Sequence, residues 1–365
     1  MMNTGLRKYV MLLTIVTAVT SVMADEETKL FPIVKGGKWG YMDEKGKVVI
    51  EPQYDGAGDF SEGLAWVGRG LLRGYINPKG EMVIKPKYGW AADFHSGIAA
   101  VYGHADGQPI GARASDIWGD DLQMYKPQAM CLYIDKTGKV IGSECSPMDF
   151  SEGKACYRGI CIGTDGKRIQ HDAEDIRPFS DGLAAARKGD RWGYLDHSMK
   201  WVIEPAFHLA EEFSNGLAAV AMAERPPSRW AGRELMDWLK NGKLKWGYID
   251  STGKLVIPYQ FAAGGAYSEE LIPVQLETGG KWGYVDKSGK VVIEPKFDYA
   301  WRFSEERGRV LVGEKFGYVD KTGKLVIEPK FDAAWEFSKG LARVGIGNKE
   351  GYINHDGKYI WEPTE

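Results

Sequence analysis

Residues 281–305 read KWGYVDKSGKVVIEPKFDYAWRFSE and contain two apolar runs around one polar turn. The runs are residues 282–285 (WGYV) and 291–293 (VVI), and residues 286–290 (DKSGK) lie between them. Two β-favouring runs joined by a short polar segment with glycine predict a β-hairpin. Pro295 then ends the second strand, because proline cannot donate a backbone hydrogen bond to a neighbouring strand.

The hairpin pattern recurs along almost the whole chain. Most successive copies start about 34 residues apart, and two gaps are longer, at 58 and 54 residues. A fixed period of this kind is the signature of repeat architectures. The sequence therefore predicts about nine units in phase over residues 30–363, with hairpins that start at Trp39, Arg73, Cys131, Gly159, Trp192, Trp246, Trp282, Phe316 and Glu350.

Each unit continues beyond its proline with apolar residues spaced by three, such as Phe297, Ala300 and Phe303. This spacing predicts a single helical or 3₁₀ turn that packs on the sheet. A third strand follows, as in residues 341–344 (LARV). Helical tetratricopeptide repeats share the 34-residue period, but a proline and a glycine in every unit would break their helices.

The predicted fold is all-β, with about nine three-stranded units of about 34 residues. We expect an open β-solenoid or superhelical stack of these units. The alternative is a closed, β-propeller-like array. Two features favour the open form: three strands fall short of the usual four per blade, and the sequence shows no strand exchanged between its ends.

The stretch 281–305 resembles the WG repeat, also called the KWG repeat, which is widespread in bacteria. The resemblance covers nearly all of residues 30–363 and is weakest at the copy where Ile160 and Cys161 replace Gly and Tyr. It implies a repetitive β protein and no defined activity. The resemblance is strongest in the copies at Trp39, Trp246, Trp282 and Phe316.

The first residues resemble a secretory signal peptide. Arg7 and Lys8 precede an uncharged apolar run over residues 9–22, and residues 21–24 (SVMA) supply small side chains for cleavage before Asp25. We therefore expect a signal peptide over 1–24 and a repeat domain over 25–365. The expected location is the periplasm or the outside of a bacterial cell, with no membrane span after cleavage.

Composition narrows the function classes. The chain has 365 residues, 44% hydrophobic and 27% charged, which fits a globular protein and excludes collagen-like and disordered classes. Its formal net charge of −3 gives no broad basic surface, so we expect no nucleic-acid partner. Six scattered histidines and the absence of known catalytic motifs in the sequence predict a non-enzyme, without catalytic residues, metal or cofactor.

The four cysteines lie in the two most divergent units. In an oxidising compartment an even set predicts two disulfides, for which three connectivities exist. Cys156 and Cys161 can face each other across a hairpin, which would leave Cys131 with Cys145. Their spacing does not form the paired knuckles of a zinc site.

The recurring turn aspartates, such as Asp286, have lysines between the positions that calcium ligands would need, so we interpret them as turn formers. The recurring Trp and Tyr are predicted to be core residues, and the Gly between them to allow the next repeat to approach. Less regular tryptophans are the candidate partner contacts: Trp118, Trp230, Trp238, Trp301 and Trp335.

Two insertions interrupt the repeats, at about 102–130 and 221–245. The first is predicted to be a loop and the second to hold a short amphipathic helix over 229–239. Stacked repeats build extended binding surfaces. We therefore expect a non-enzymatic secreted scaffold that binds a protein partner. A cell-wall glycan bound by exposed aromatics is the alternative, and an enzyme with its site between repeats is the third hypothesis.

Overall fold

The computed structural model describes residues 29–104, 129–143, 150–223 and 243–364. Over these ranges the chain forms 34 strands and no helix. The strands make nine antiparallel sheets, each built from strands that follow one another in sequence. The sheets form a ring, so the fold is a nine-bladed β-propeller, and the sheets are blades 1 to 9 in chain order.

Seven blades have four described strands, a to d in chain order. These are blade 2 with β4 (Gly56–Ala57), β5 (Ala65–Arg69), β6 (Leu72–Ile76) and β7 (Met82–Tyr88); blade 3 with β8 (Trp90–Ala91), β9 (Ile98–His104), β10 (Ala129–Asp135) and β11 (Val140–Gly142); blade 5 with β15 (Asp175–Ser180), β16 (Leu183–Lys188), β17 (Arg191–Asp196) and β18 (Trp201–Phe207); blade 6 with β19 (Leu209–Ser214), β20 (Leu217–Ala223), β21 (Leu244–Asp250) and β22 (Leu255–Phe261); blade 7 with β23 (Ala263–Gly264), β24 (Ile272–Gln275), β25 (Trp282–Val285) and β26 (Val291–Phe297); blade 8 with β27 (Tyr299–Ser304), β28 (Arg307–Val312), β29 (Lys315–Val319) and β30 (Leu325–Phe331); and blade 9 with β31 (Ala333–Ala334), β32 (Ala342–Ile346), β33 (Lys349–Ile353) and β34 (Tyr359–Thr364).

Two blades have only strands b, c and d among the described residues. They are blade 1, with β1 (Leu30–Lys35), β2 (Lys38–Asp43) and β3 (Val48–Tyr54), and blade 4, with β12 (Lys154–Tyr157), β13 (Ile160–Gly163) and β14 (Arg168–Ile169). In every blade the strands b and c pair as an antiparallel hairpin, as β28 does with β29.

The predicted open solenoid is wrong and its alternative, a closed β-propeller-like array, is confirmed, because blade 9 packs on blade 1 and closes the ring. The Tyr352 hydroxyl donates a hydrogen bond to the Pro32 carbonyl at 3.0 Å, and the Thr364 hydroxyl donates to the Val34 carbonyl. The ring of Phe31 meets that of Tyr352 at 5.5 Å. Side chains therefore close the ring, and no strand is exchanged between the first and last blades that the structure describes.

The predicted helical turn after each proline is also wrong, because this segment is strand a of the next blade. The predicted three-stranded unit is therefore wrong too for the seven blades with four described strands. The backbone of this segment pairs with strand b, as when the Trp335 amide donates to the Arg343 carbonyl at 3.0 Å. The register shifts between Ala300 and Phe303, which indicates a β-bulge. The bulge explains the spacing of three, since both side chains face the core although they lie on a strand.

A buried tyrosine in strand c joins most blades to the next. The Tyr284 hydroxyl donates to the Trp301 carbonyl in strand a of blade 8 at 2.8 Å, and its ring packs on Phe303 at 5.0 Å. The tyrosine side chains are fully buried, which confirms their prediction as core. Equivalent bonds inside the ring come from Tyr41, Tyr75, Tyr194, Tyr248 and Tyr318.

The glycine before this tyrosine serves its own blade rather than the next one, contrary to the prediction. A Cβ atom on Gly283 would lie 2.4 Å from the Ile293 carbonyl oxygen, in strand d of the same sheet. Strand pairing is irregular at this point, between Trp282 and Tyr284. Strand d thus bends over the glycine, and only a residue without a Cβ allows the approach.

The turn aspartates act as predicted. The Asp286 carboxylate accepts hydrogen bonds from the backbone N–H groups of Ser288 and Lys290, at 2.8 and 3.1 Å. Gly289 closes this turn with a φ of +86°, a left-handed conformation that favours glycine. One carboxylate therefore fixes this c–d turn.

The ring has two ends with different turns. Because the strands of each blade alternate in direction, the a–b and c–d turns lie at one end, here called the a–b end. The b–c turns and the connections between blades lie at the other, here called the b–c end. Strand a is innermost, since Arg302 after the start of one a strand reaches Glu336 beside the next. Strand d is outermost, and its valines, such as Val49, are about half exposed.

We expect Gly283→Ala to lower the free energy of unfolding by about 3 kcal/mol, because the new methyl group would overlap the Ile293 carbonyl. The control is Gly347→Ala, where φ is +56° but no atom lies within 4 Å of the place that an added Cβ would take. This control should cost only about 1 kcal/mol. Urea unfolding of both variants measures the difference, and equal effects would contradict the close approach.

We expect Tyr352→Phe to destabilise the protein by about 1–2 kcal/mol, because the buried Pro32 carbonyl loses its donor. The matched variant is Tyr318→Phe, which removes the same bond between blades 8 and 9. Similar losses of unfolding free energy would show that the closing interface is as firm as an internal one. A neutral Tyr352→Phe would contradict closure through this hydroxyl.

Candidate functional site

Both insertions arise at the b–c end of the ring. The first lies between strands b and c of blade 3, after Ile98–His104 and before Ala129–Asp135. The second lies between the same two strands of blade 6, after Leu217–Ala223 and before Leu244–Asp250. The strands thus extend slightly into the predicted insertion ranges. The predicted loop and helix themselves lie outside the described residues.

The b–c end also carries exposed apolar side chains from several blades. Leu71 and Ile346, in or beside the b–c turns of blades 2 and 9, are 46% and 42% exposed. Tyr299, the first residue of strand a in blade 8, is 40% exposed. Exposed apolar side chains mark an interaction surface where they lie together, and a similar number lie in strands d on the outer rim, such as Val49 and Val292. The other exposed apolar residues at the b–c end are Met130, Ile160 and Val312.

Similar ion pairs recur at the b–c end of several blades. Lys315 pairs with Asp332, and this carboxylate also accepts a hydrogen bond from the Gly347 backbone N–H at 2.8 Å. The lysine and then the N–H lower the pKa of the Asp332 carboxyl. The same arrangement links Lys38 with Asp55 and Lys281 with Asp298. The surface therefore combines apolar groups with a charged and preorganised frame.

His208 supports the base of the second insertion. Its side chain is only 4% exposed, and its Nδ1 accepts a hydrogen bond from the Ala223 backbone N–H at 3.1 Å, where strand b of blade 6 ends. Burial first, and then nearby Arg191, lower the pKa of His208 to about 4, against the opposing effect of Asp190. His208 is therefore neutral near pH 7 and accepts this bond without a charge.

Trp301 and Trp335, two of the predicted partner contacts, are half-buried rather than fully exposed. The Arg309 guanidinium lies 4.2 Å from the Trp301 ring centre, and Arg343 lies 4.2 Å from that of Trp335. Each arginine covers one face of its tryptophan, so that face is closed to a sugar ring. Trp118, Trp230 and Trp238 lie outside the described residues.

The cysteine prediction is confirmed where the structure describes it. Cys156 and Cys161 face each other across the β12–β13 hairpin and form a disulfide. Cys161 stands where other blades have the buried tyrosine, so blade 4 has a bridge within its own hairpin in place of a hydroxyl that reaches the next blade. Cys131 is also disulfide-bonded. Its predicted partner Cys145 lies outside the described residues.

Charged side chains of the a strands line the centre of the ring. Arg302 donates two hydrogen bonds to one Glu336 oxygen, at 3.0 and 2.9 Å, and so joins blades 8 and 9. Asp59 occupies the same strand position in blade 2, with its carboxylate exposed. In the described parts of the chain, no cluster of three or more His, Cys, Asp or Glu side chains suits a metal ion.

The comparison with known families agrees with the repeat. A family described as WG containing repeat matches residues 39–70, 74–102, 174–192, 192–223, 246–282, 282–316 and 316–349, more than half of the chain. The chain belongs to this family. No curated protein sequence matches this WG-repeat chain.

Solved structures are similar to the WG-repeat ring in fold. A structure titled as the eukaryotic initiation factor has a TM-score of 0.58 at 11% identity, over 92% of this chain and 97% of that one. Virginiamycin B lyase from Staphylococcus aureus has a TM-score of 0.35 at 14% identity, over 57% and 80%. At these identities the first likeness supports the propeller fold alone, and the second carries no weight.

Sequence reasoning missed most of the surface at the b–c end. Leu71 and Ile346 appear in the sequence as ordinary members of β runs, and only the turn geometry exposes them. The sequence did carry one signal for the covered tryptophans. Arg309 and Arg343 each follow a tryptophan by eight residues, and each lies over the ring of that tryptophan. Among the described residues, no helix is long and apolar enough to cross a membrane.

We expect the protein to lose stability as pH falls from about 6.5 towards 4, because unfolded His208 gains a proton that the folded side chain resists. The folded pKa lies below the ordinary value, so unfolding takes up a proton in this window. The loss at pH 5 should be about 2 kcal/mol. Urea unfolding from pH 5 to 8 measures this slope. His208→Asn, which keeps an acceptor for Ala223, should flatten the slope below pH 6.5 and leave it unchanged above pH 7.5; an unchanged slope throughout would contradict the assignment.

Proposed function

We propose that this WG-repeat protein is a non-enzymatic scaffold that binds a protein partner through the b–c end of its ring. The observation that carries the proposal is the pairing of exposed apolar residues, including Leu71 and Ile346, with both insertions at the same end of the ring. Protein interfaces combine an apolar centre with a charged rim. The lysine–aspartate pairs at this end supply such a rim.

Rigidity supports the same proposal. Carboxylates of the connections between blades fix the b–c turns. In blade 8, for example, the Gly313 backbone N–H of the turn donates to the Asp298 carboxylate at 2.8 Å. A surface that is already ordered loses little conformational entropy when a partner binds. The insertions lie in blades 3 and 6, so a partner that contacts both would span at least a third of the ring.

The signal-like residues 1–24 support a secreted or periplasmic location for this scaffold. The disulfide between Cys156 and Cys161 fits an oxidising compartment. Fusion of residues 1–40 to a reporter that is active only outside the cytoplasm tests this location. N-terminal sequencing of the exported protein should then give Asp25 as the first residue.

The binding test compares charged substitutions at two places on the ring. Leu71→Glu and Ile346→Glu alter the b–c end, and Val49→Glu and Val292→Glu alter d strands on the outer rim, where the valines are 47% and 45% exposed. Tagged protein is crosslinked in its host, and captured proteins and wall fragments are identified by mass spectrometry. Circular dichroism confirms that each variant folds.

We expect one stoichiometric protein that the unaltered chain and the rim variants capture and the b–c variants lose by about tenfold or more, as for a residue at an interface centre. Equal loss in both sets would contradict binding at the b–c end. Enrichment of wall fragments without a protein would overturn the scaffold proposal and favour a glycan-binding module.

A further inference from the structure

A cavity lies at the closing interface between blades 9 and 1. Its volume is about 310 Å³. It combines aromatic rings with charges of both signs and opens near the centre of the ring. Its lining includes Phe31, Asp59, Trp335, Glu336, Arg343 and Tyr352.

The neighbouring interface shows what fills this place elsewhere in the ring. Between blades 8 and 9, three side chains of blade 8 donate hydrogen bonds to carbonyl groups of strand a in blade 9. The Tyr318 hydroxyl donates to Trp335 at 2.7 Å, and the Ser304 hydroxyl donates to Phe337 at 2.8 Å. The Arg309 guanidinium donates to the Ala334 carbonyl. An innermost strand therefore occupies this position.

Blade 9 keeps the same three donors 34 residues later, as Tyr352, Ser338 and Arg343. Blade 1, however, begins with strand b among the described residues. Tyr352 donates to the Pro32 carbonyl of that strand instead, and Arg343 approaches Glu350 at 3.6 Å. The cavity is thus the place of an innermost strand, with donors for its carbonyl groups along one wall.

Phe31 fills part of this place. Most other blades have a small residue at the same position of strand b, such as Ala65, Ala184 and Ala342, although blade 7 has Ile272. Between blades 8 and 9 the buried tyrosine packs on a phenylalanine that follows strand a. In blade 1 the ring of Phe31 packs on Tyr352 at 5.5 Å. A segment in the cavity would therefore need a small residue where other a strands carry phenylalanine.

Two carboxylates face the position before that small residue and favour a basic side chain there. Glu336 of blade 9 and Asp59 of blade 2 both line the cavity. Between blades 8 and 9 the partner of Glu336 is Arg302, at the corresponding position of strand a. If the repeat is extended backwards along this chain, Asp25 takes this position and Glu26 the next. The negative charge of Asp25 would then face the carboxylates of Glu336 and Asp59.

We propose that the cavity binds an extended peptide segment of another protein, with a basic residue followed by a small one, as an added strand beside β1. The Tyr352 hydroxyl then moves from Pro32 to a peptide carbonyl. The Pro32 carbonyl accepts a peptide N–H in exchange, as the Arg343 carbonyl accepts from the Trp335 backbone N–H at 3.0 Å. Addition of a strand to a sheet edge is a common mode of peptide recognition. This site is separate from the surface at the b–c end.

The probe is a fluorescent peptide, DYAWRAS, which copies residues 298–304 with alanine in place of Phe303. The control peptide, DYAWEAS, reverses the charge at the position of Arg302. Both are titrated with the chain from residue 25 to 365 by fluorescence anisotropy at low salt. We expect saturable binding of the first peptide and at least about tenfold weaker binding of the second.

Two variants test the position of the peptide. Asp59→Asn should weaken the binding of DYAWRAS about threefold or more, whereas Asp356→Asn, an exposed residue at the a–b end, should leave it unchanged. Phe31→Ala should open the aromatic site, so that DYAWRFS binds this variant more tightly than the unaltered protein. Thermal unfolding confirms that each variant folds.

Three outcomes would overturn the proposal. One is the lack of saturable binding to DYAWRAS, and another is equal affinity for both peptides. The third is binding only to a chain that starts at Lys29, since residues 25–28 would then be the natural occupant. Loss of partner capture by the b–c variants bears on the proposed scaffold function alone, so the two proposals fail independently.

Discussion

One hydrogen bond organises this ring: the phenol of a buried tyrosine donates to a backbone carbonyl of the next blade. Burial raises the pKa of this hydroxyl far above the ordinary value, so it stays protonated and acts as a donor in Tyr41, Tyr194, Tyr248, Tyr284 and Tyr318. The bond needs strand a of the neighbour at a fixed distance. It also needs the preceding glycine, because strand d bends over that position. The repeated Gly-Tyr pair therefore fixes both the shape of each blade and its place beside the next.

Most interfaces between blades use the same tyrosine bond, which leaves the turns free to vary. The c–d turns are constrained by an aspartate or asparagine, as at Asp286 and Asn354. The b–c turns range from two residues at Gly36 and Gly37 to the two long insertions. Among the described residues, the largest differences in turn length therefore lie at the b–c end, while the c–d turns at the other end keep the repeat. A binding surface at the b–c end can change without disturbing the contacts that hold the blades.

The local structure followed from the sequence, whereas the way the ring closes did not. The hairpins, the turn aspartates and the Cys156–Cys161 pair depend on neighbouring residues, and the structure confirms them. Strand a resembles a helical turn in the sequence, because a β-bulge gives Ala300 and Phe303 a spacing of three. Closure depends on Phe31, which takes the place of a small residue seen in most other blades. That substitution has meaning only once the register of all nine blades is known.

Closure through side chains sets the first and last strands of the ring beside each other, as the contact between Thr364 and Val34 shows. Open repeat arrays need dedicated caps at both ends to protect their cores from water. Here each terminal blade covers the other, although the buried tyrosine at this interface bonds to strand b rather than to strand a of its neighbour. Neither terminal blade therefore has to serve as a dedicated cap. Joining the two ends and opening the chain at any short b–c turn would give the same molecule with a different starting residue.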